Sequence, residues 1–175
     1  VIYFATHHLG IHSAVAVTGT HNPPEYKGIK IVIVVNTLVG QEIQALKQTL
    51  NRRIDNHTPG SLHNECVTDG YIKRITSDIH LNRSLRITID SGNGVSGTIA
   101  PRLYRELGCE VTELFSDVDG TFPNHHADPS QPENLEDLII KVKEENADIG
   151  FALDVDADRL GVVDASGNII WPDKQ

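Results

Sequence analysis

The stretch ADIGFALDVDADR, residues 147–159, joins an apolar run to a row of alternating carboxylates. Residues 147–154 have the length and apolar composition of a buried β-strand. Asp154, Asp156 and Asp158 follow at alternate positions, so they leave the predicted sheet together at the carboxyl end of this strand. Neighbouring carboxylates repel one another unless a cation is bound. The pattern therefore predicts a site for a hard divalent cation, and the alternative is a solvated acidic loop.

The ligands that this loop offers narrow the choice of cation. Carboxylate oxygens suit Mg²⁺ or Ca²⁺ and do not suit Zn²⁺. A Ca²⁺-binding EF-hand loop also begins with alternating aspartates, but it requires glycine at its sixth position and glutamate at its twelfth. Those positions hold Arg159 and Ala165 here, which excludes an EF-hand.

The residues around this stretch alternate between strand and helix patterns. Strands are predicted at 85–90 and 109–115, and a hairpin is predicted at 160–170. One helix is predicted to run from Ser96, as its N-cap, to Gly108, and another is predicted to begin at Pro132. This order predicts an α/β fold with mixed sheets covered by helices.

The first part of the chain shows a shorter version of the same alternation. Strands are predicted at 13–20 and 29–35, and a helix at 39–52. Isoleucines at 72, 75 and 79 repeat the helical spacing, and we place a domain junction near residues 66–80.

The loop TGTHNPPEYKGIK, residues 18–30, brings several chemically active groups between two predicted strands. Its hydroxyl (Thr20), imidazole (His21), carboxamide (Asn22) and ammonium (Lys30) groups suit phosphoryl transfer. A hydroxyl accepts a phosphoryl group when a metal polarises the phosphate and a base removes the proton. The alternative is a polar surface turn.

A glycine-rich turn, GNGVSG at residues 92–97, offers a competing hypothesis. It follows a predicted strand and opens a predicted helix, and Glu113 lies near the distance of a ribose-binding acid. The turn therefore indicates either a nicotinamide-dependent dehydrogenase or a tight connection between strand and helix. His125-His126 has no third ligand at a suitable spacing, which favours a role in the loop over metal binding.

Composition excludes several classes of protein. The net charge of −9 argues against a nucleic-acid partner, because a phosphate backbone requires a basic surface. No run of 18 apolar residues is present, so we expect no membrane span. Cys66 and Cys109 form no spaced motif and are interpreted as free thiols in a cytoplasmic protein.

The motifs together resemble those of α-D-phosphohexomutases of the bacterial phosphomannomutase/phosphoglucomutase type. Residues 18–30 resemble the family's phosphoserine loop, T-[AG]-S-H-N-P-x-x-x-N-G-x-K, and DVDADR resembles its Mg²⁺ loop, D-G-D-[AG]-D-R. DSGNGVSG (90–97) and DVDGTFPNHHADPSQPENL (117–135) also resemble family sequence. The resemblance covers essentially the whole chain and implies that the glycine-rich turn is structural, which leaves the dehydrogenase as a distant alternative.

The resemblance implies a role for each candidate residue. Thr20 matches the phosphorylated serine, whose phosphoryl oxygen is a further metal ligand, and His21 matches a residue beside the phosphate. Lys30 matches a proposed acid/base, and Arg159 matches the arginine that closes the metal loop. The three aspartates of DVDADR match the Mg²⁺ ligands. The implied reaction interconverts hexose 1-phosphate and 6-phosphate through a hexose 1,6-bisphosphate.

The sequence departs from the family pattern at three positions: Thr20 replaces serine, Lys27 replaces asparagine, and Val155 stands where glycine is common and reduces the freedom of the metal loop. We expect both ends of the chain to lie inside a longer protein. The expected domains are 1–66 from the end of domain 1, 67–168 for domain 2, and 169–175 from the start of domain 3. The expected function is a mutase active only in its full-length parent, and the alternative is a non-catalytic metal-binding or interaction module.

Overall fold

The computed structural model describes residues 1–18, 28–34, 36–50 and 60–174. These residues divide into two units, and the division falls between Tyr71 and Ile72. The expected α/β architecture is confirmed, since each unit combines a sheet with helices. The domain limits 1–66, 67–168 and 169–175 stay predictions. No helix among the described residues has both the length and the apolar character needed to cross a membrane.

The first unit contains an antiparallel sheet of order β1-β2-β3. Its strands are β1 (Ala14–Thr18), β2 (Gly28–Ile33) and β3 (Asn36–Thr37), and its helices are α1 (Ile2–His8), α2 (Gln41–Thr49) and the start of α3 (Thr68–Thr76). The predicted helix at 39–52 is therefore confirmed with shorter limits. Its apolar face, however, stays exposed at Ile43, Leu46 and Leu50. Val32 and Thr6 are the buried residues among those described in this unit, so it encloses little apolar surface of its own.

The second unit is built on a mixed five-stranded sheet of order β5-β4-β6-β7-β8. Strands β5, β4 and β6 are parallel, while β7 and β8 complete the sheet in antiparallel register. The strands are β4 (Arg86–Asp90), β5 (Glu110–Leu114), β6 (Ile149–Leu153), β7 (Leu160–Asp164) and β8 (Ile169–Ile170). The predicted hairpin at 160–170 is confirmed by the pairing of β7 with β8.

Successive residues of a strand point to opposite sides of the sheet. Apolar side chains therefore lie on both faces of this sheet, and a helix covers each face. On one face α5 (Glu136–Glu144) packs on Ala152 and Val163. On the other face α4 (Ala100–Glu106) contributes Ala100 and Tyr104 to a cluster around Ile87 and Ile89. The second unit is thus a three-layer α/β/α structure, with a buried apolar cluster on each face of its sheet.

The predicted N-cap at Ser96 is wrong, and the predicted helix start at Pro132 is confirmed through a 3₁₀ turn. Ser96 does not cap α4; it lies buried inside a 3₁₀ turn, Val95–Thr98, and α4 begins only at Ala100 with no side-chain cap. Pro132 likewise opens a 3₁₀ turn, Pro132–Leu135, before α5 begins. Ser96 is buried and Gly97 lies against the Ser116 backbone, so this segment packs against its neighbours before α4 begins. Such 3₁₀ turns are common at the ends of α-helices.

Candidate metal centre

The three aspartates of the acidic loop converge, as their position after β6 predicts. One carboxylate oxygen from each of Asp154, Asp156 and Asp158 lies within 4.8 Å of the other two. Oxygens that share one Mg²⁺ or Ca²⁺ at about 2.1–2.5 Å must themselves lie within about 5 Å of one another. The donor set therefore fits a hard divalent cation in both chemistry and spacing.

Asp154 organises the loop that carries the other two carboxylates. Its side chain is fully buried, and its Oδ1 accepts the backbone N–H groups of Asp158 (2.9 Å) and Arg159 (3.1 Å). Its Oδ2 accepts Arg159 Nε at 2.8 Å. Burial disfavours the charged form, but the Arg159 side chain and the two backbone donors outweigh it, so the pKa of Asp154 lies below its ordinary value. Asp154 is thus held as a carboxylate at the base of the loop.

Arg159 joins this loop to a second one. Its guanidinium lies between Asp154 and Asp128, with Nη1 3.3 Å from Asp128 Oδ1. Arg159 thus bridges two loops, and its role in closing the metal loop stays a prediction. Asp128 lies in the family-like stretch 117–135, but the sequence did not single it out as a partner of Arg159, because 31 residues separate the two.

The residue of the acidic loop with a left-handed backbone is Ala157 and not Val155, where glycine is common in the family. The expectation was that valine in place of glycine reduces the freedom of the loop. In the structure it is Ala157 that adopts the left-handed region, at φ +61°, and Val155 is not among the residues with positive φ. The loop does not require a left-handed backbone at position 155, so valine can replace glycine there without backbone strain.

The remaining candidate residues fall in the first unit or outside the described residues. Thr20 and His21, with Asn22 and Lys27, lie outside the described residues. Lys30 is exposed on β2, where it pairs in register with Ala16. Their roles accordingly stay predictions.

The glycine-rich turn is filled by protein contacts. A Cβ at Gly94 would meet the Val155 backbone at 2.9 Å, and a Cβ at Gly97 would overlap the Ser116 backbone. Glu113, the expected ribose-binding acid of the dehydrogenase hypothesis, binds Arg105 Nη2 at 2.7 Å instead. Close contacts with the acidic loop and with the segment after β5 explain Gly94 and Gly97, so the turn has a structural role, as the family resemblance implied.

An ion pair between the fully buried Asp90 and the partly buried His125 lies beneath this turn and was not foreseen. Asp90 is fully buried at the end of β4, and its Oδ2 lies 2.9 Å from His125 Nε2. His125 Nδ1 lies 3.0 Å from the carbonyl oxygen of His126. Both partner atoms are acceptors, so both ring nitrogens carry protons. The hydrogen bond to Asp90 outweighs burial and raises the pKa of His125 to about 9.

We expect this ion pair to make stability depend on pH. The pKa of His125 is raised from 6.5 to about 9 on folding, so the contribution is complete below pH 6.5 and is lost as pH rises through 9. Asp137 adds to the rise through its charge. With 14% of the His125 side chain exposed, the contribution is on the order of 2 kcal/mol.

Urea unfolding between pH 6 and pH 10 measures this effect, with His125→Gln as the test and His80→Gln as an exposed control. H125Q is expected to flatten the fall in unfolding free energy over this range, and H80Q is expected to retain it. An unchanged fall in H125Q would contradict the assignment.

A cavity of about 350 Å³ adjoins the acidic loop at Arg159. Its walls are mostly apolar and include Leu160, Ile169 and Trp171. Arg159 is the charged residue of the lining, so the cavity offers little to hold an anionic sugar.

Comparison with known proteins agrees with this fold and site. Residues 69–167 match the family model described as phosphoglucomutase/phosphomannomutase, alpha/beta/alpha domain II, and residues 1–56 match that of domain I. The fold and the acidic loop thus define a phosphohexomutase-type α/β protein. The chain belongs to the phosphoglucomutase/phosphomannomutase family, an isomerase family.

Individual relatives are similar along the whole chain. A phosphomannomutase/phosphoglucomutase of Pseudomonas aeruginosa is 48% identical over 99% of this chain and 38% of its own length. A phosphoglucomutase of Neisseria meningitidis serogroup B is 49% identical over all of this chain and 38% of its own length. A crystal structure of a family protein from Burkholderia thailandensis is 50% identical with a TM-score of 0.85, and it covers 92% of this chain and 35% of that one. The chain therefore spans under two-fifths of the length of these relatives.

Proposed function

We propose that this chain is the part of a hexose-phosphate mutase that carries the phosphoryl group and the metal. The observation that supports this most directly is the convergence of three carboxylates at the carboxyl end of β6, in a chain that belongs to the phosphoglucomutase/phosphomannomutase family. The substrate class is a phosphorylated hexose, mannose or glucose, whose phosphate moves between the 1 and 6 positions. The protein is proposed to act in the cytoplasm, without a nucleic-acid partner.

The proposed reaction has two balanced halves. The free hydroxyl of a hexose monophosphate attacks the phosphorus of phosphorylated Thr20, and the bond from phosphorus to the Thr20 oxygen breaks. A hexose 1,6-bisphosphate forms. The Thr20 hydroxyl then attacks the phosphorus of the other phosphoryl group, and the bond from that phosphorus to the sugar oxygen breaks. Lys30 is the candidate that takes the proton of the attacking hydroxyl and gives it to the departing oxygen, and His21 would lie beside the phosphate.

Asp154, Asp156 and Asp158 would hold the Mg²⁺, with a phosphoryl oxygen on Thr20 as a further ligand. Bound Mg²⁺ would offset the charge that develops on the transferring phosphoryl group. Arg159 keeps the loop closed by binding both Asp154 and Asp128. Two backbone N–H groups hold the Asp154 carboxylate in place, so Asp154 fixes the conformation of the loop.

Phosphorylation of Thr20 tests this proposal. After incubation of the full-length parent with a hexose 1,6-bisphosphate, intact-mass analysis is expected to show one added phosphate. Thr20→Ala is expected to lack it, because no hydroxyl remains to accept the group. Thr18→Ala, two residues away, serves as the matched control and is expected to retain it. Retention of the phosphate in T20A would remove Thr20 from the mechanism.

We expect this chain alone to show no useful mutase activity. Phosphoryl transfer requires the acceptor oxygen in line with the donor and the charge neutralised around it. The described residues offer the acidic loop and the apolar cavity beside it, and no basic site for the distal phosphate is evident among them. A coupled assay with glucose 1-phosphate, bisphosphate and Mg²⁺ measures this. Turnover near about 10 per second, the median for enzymes, would contradict it.

A further inference from the structure

Residues 91–95, which contain the first two glycines of the glycine-rich turn (92–97), lie directly against the acidic loop. Parallel β4 and β6 are neighbours, with Asp90 opposite Ala152, so the segments that follow these strands meet at one edge of the sheet. The Val95 N–H donates to the Val155 carbonyl oxygen at 3.0 Å. Gly94 contacts the same residue so closely that a Cβ would stand 2.9 Å from its oxygen and 3.0 Å from its Cα.

The glycine-rich turn is itself anchored to the sheet and to the loop after β5. The Gly92 N–H donates to Asp90 Oδ1 at 2.8 Å, and the Oδ2 of that buried carboxylate binds His125. The Asn93 N–H donates to the Phe115 carbonyl at 2.8 Å. Every residue from 91 to 94 is buried. Burial and these hydrogen bonds restrain residues 91–94, so a residue that is bonded to this segment is restrained as well.

The residue that the turn holds is placed between two candidate ligands. Val155 lies between Asp154 and Asp156, so the position of its peptide sets how far apart the two carboxylates stand. Asp154 is fixed by Arg159 and by backbone donors, and the contact at Val155 fixes the next peptide. Affinity for a hard cation depends on the rigidity of its ligands, and residues behind the ligands commonly change it by about 10–100-fold.

We propose that the glycine-rich turn is a positioning element of the metal centre, acting through the Val95 N–H and the close contact at Gly94. This inference rests on the proposed function, because it assumes that the acidic loop binds a cation. It gives the GNG glycines a role that neither a nucleotide site nor a simple tight turn supplies.

The variant Val95→Pro tests the proposal by deleting one hydrogen-bond donor. Val95 is the first residue of its 3₁₀ turn, and Gly94 before it is extended at φ −81° and ψ 175°. Proline suits the first position of a helical turn, and an extended residue before it avoids a clash. The Val95 side chain is 51% exposed, so Val95→Ala is the matched control that keeps the N–H.

Two quantities are measured in each variant: the Kd for Mn²⁺, and the hydrogen-exchange rates of the Asp158 and Arg159 amides without metal. V95P is expected to raise the Kd by about tenfold and to speed both amides, since their acceptor Asp154 loses a fixed neighbour. V95A is expected to match the wild type in both. Far-UV circular dichroism checks the fold, and Gly94→Ala, with Gly120→Ala as control, repeats the test by displacing Val155.

The outcomes separate this inference from the proposed function. Equal Mn²⁺ affinity in the wild type and in folded V95P and G94A would overturn the positioning role and leave the metal centre intact. Failure of the wild type to bind Mn²⁺ would overturn the proposed metal centre and this inference with it. Mn²⁺ binding weakened as much in V95A as in V95P would also overturn the positioning role, because the side chain and not the N–H would then be responsible.

Discussion

Replacement of Asp154 by Asn is expected to weaken Mn²⁺ binding by roughly a hundredfold and to lower stability as well. The carboxylate is fully buried, and its Oδ1 and Oδ2 accept three hydrogen bonds from Asp158 and Arg159. An amide presents a donor where one of these donors now points, so at least one bond is lost. Together with the loss of charge opposite Arg159, this is expected to cost about 2 kcal/mol.

Asp158→Asn is the matched control, because it removes a candidate metal ligand and keeps the hydrogen bonds that shape the loop. The Asp158 side chain is exposed, while its backbone N–H supplies the contact to Asp154. D158N should therefore weaken Mn²⁺ binding by about tenfold with a change in unfolding free energy below about 0.5 kcal/mol. Isothermal titration with Mn²⁺ and urea unfolding measure the two quantities. Undiminished Mn²⁺ affinity in D154N would remove Asp154 from the metal centre.

Gly97→Ala is expected to destabilise the second unit by about 3 kcal/mol. A Cβ at this position would overlap the backbone of Ser116. That backbone cannot retreat easily, because Asn93 binds the Phe115 carbonyl through its N–H and the Asp117 carbonyl through its Nδ2, both at 2.8 Å. The clash must then be relieved by moving the turn or the end of β5, and the two hydrogen bonds of Asn93 resist both movements.

Thermal unfolding measures this change, with Gly120→Ala as the control. Gly120 has open space around its missing Cβ, so G120A is expected to stay within about 0.5 kcal/mol of the wild type. For a unit of this size, G97A should unfold roughly 10 °C or more below the wild type. A G97A variant as stable as G120A would show that the Ser116 backbone yields far more readily than its hydrogen bonds indicate.

The sequence by itself determined the features that depend on contiguous residues. The apolar run before Asp154 specifies β6, and the alternating aspartates that follow must leave the sheet together because they belong to one short loop. The α/β order and the hairpin of β7 with β8 follow from the same local patterns. Helix starts were less predictable, since Ser96 has the chemistry of an N-cap and yet packs inside a 3₁₀ turn.

The tertiary structure alone decided which distant residues support the acidic loop. His125 meets Asp90 across 35 positions, and Arg159 meets Asp128 across 31. Val95 reaches Val155 because β4 pairs directly with β6, although β5 lies between them in sequence. Strand order is set by the packing of whole helices against the sheet and not by any local pattern, so the residues that meet at its carboxyl edge become visible only once the sheet is assembled.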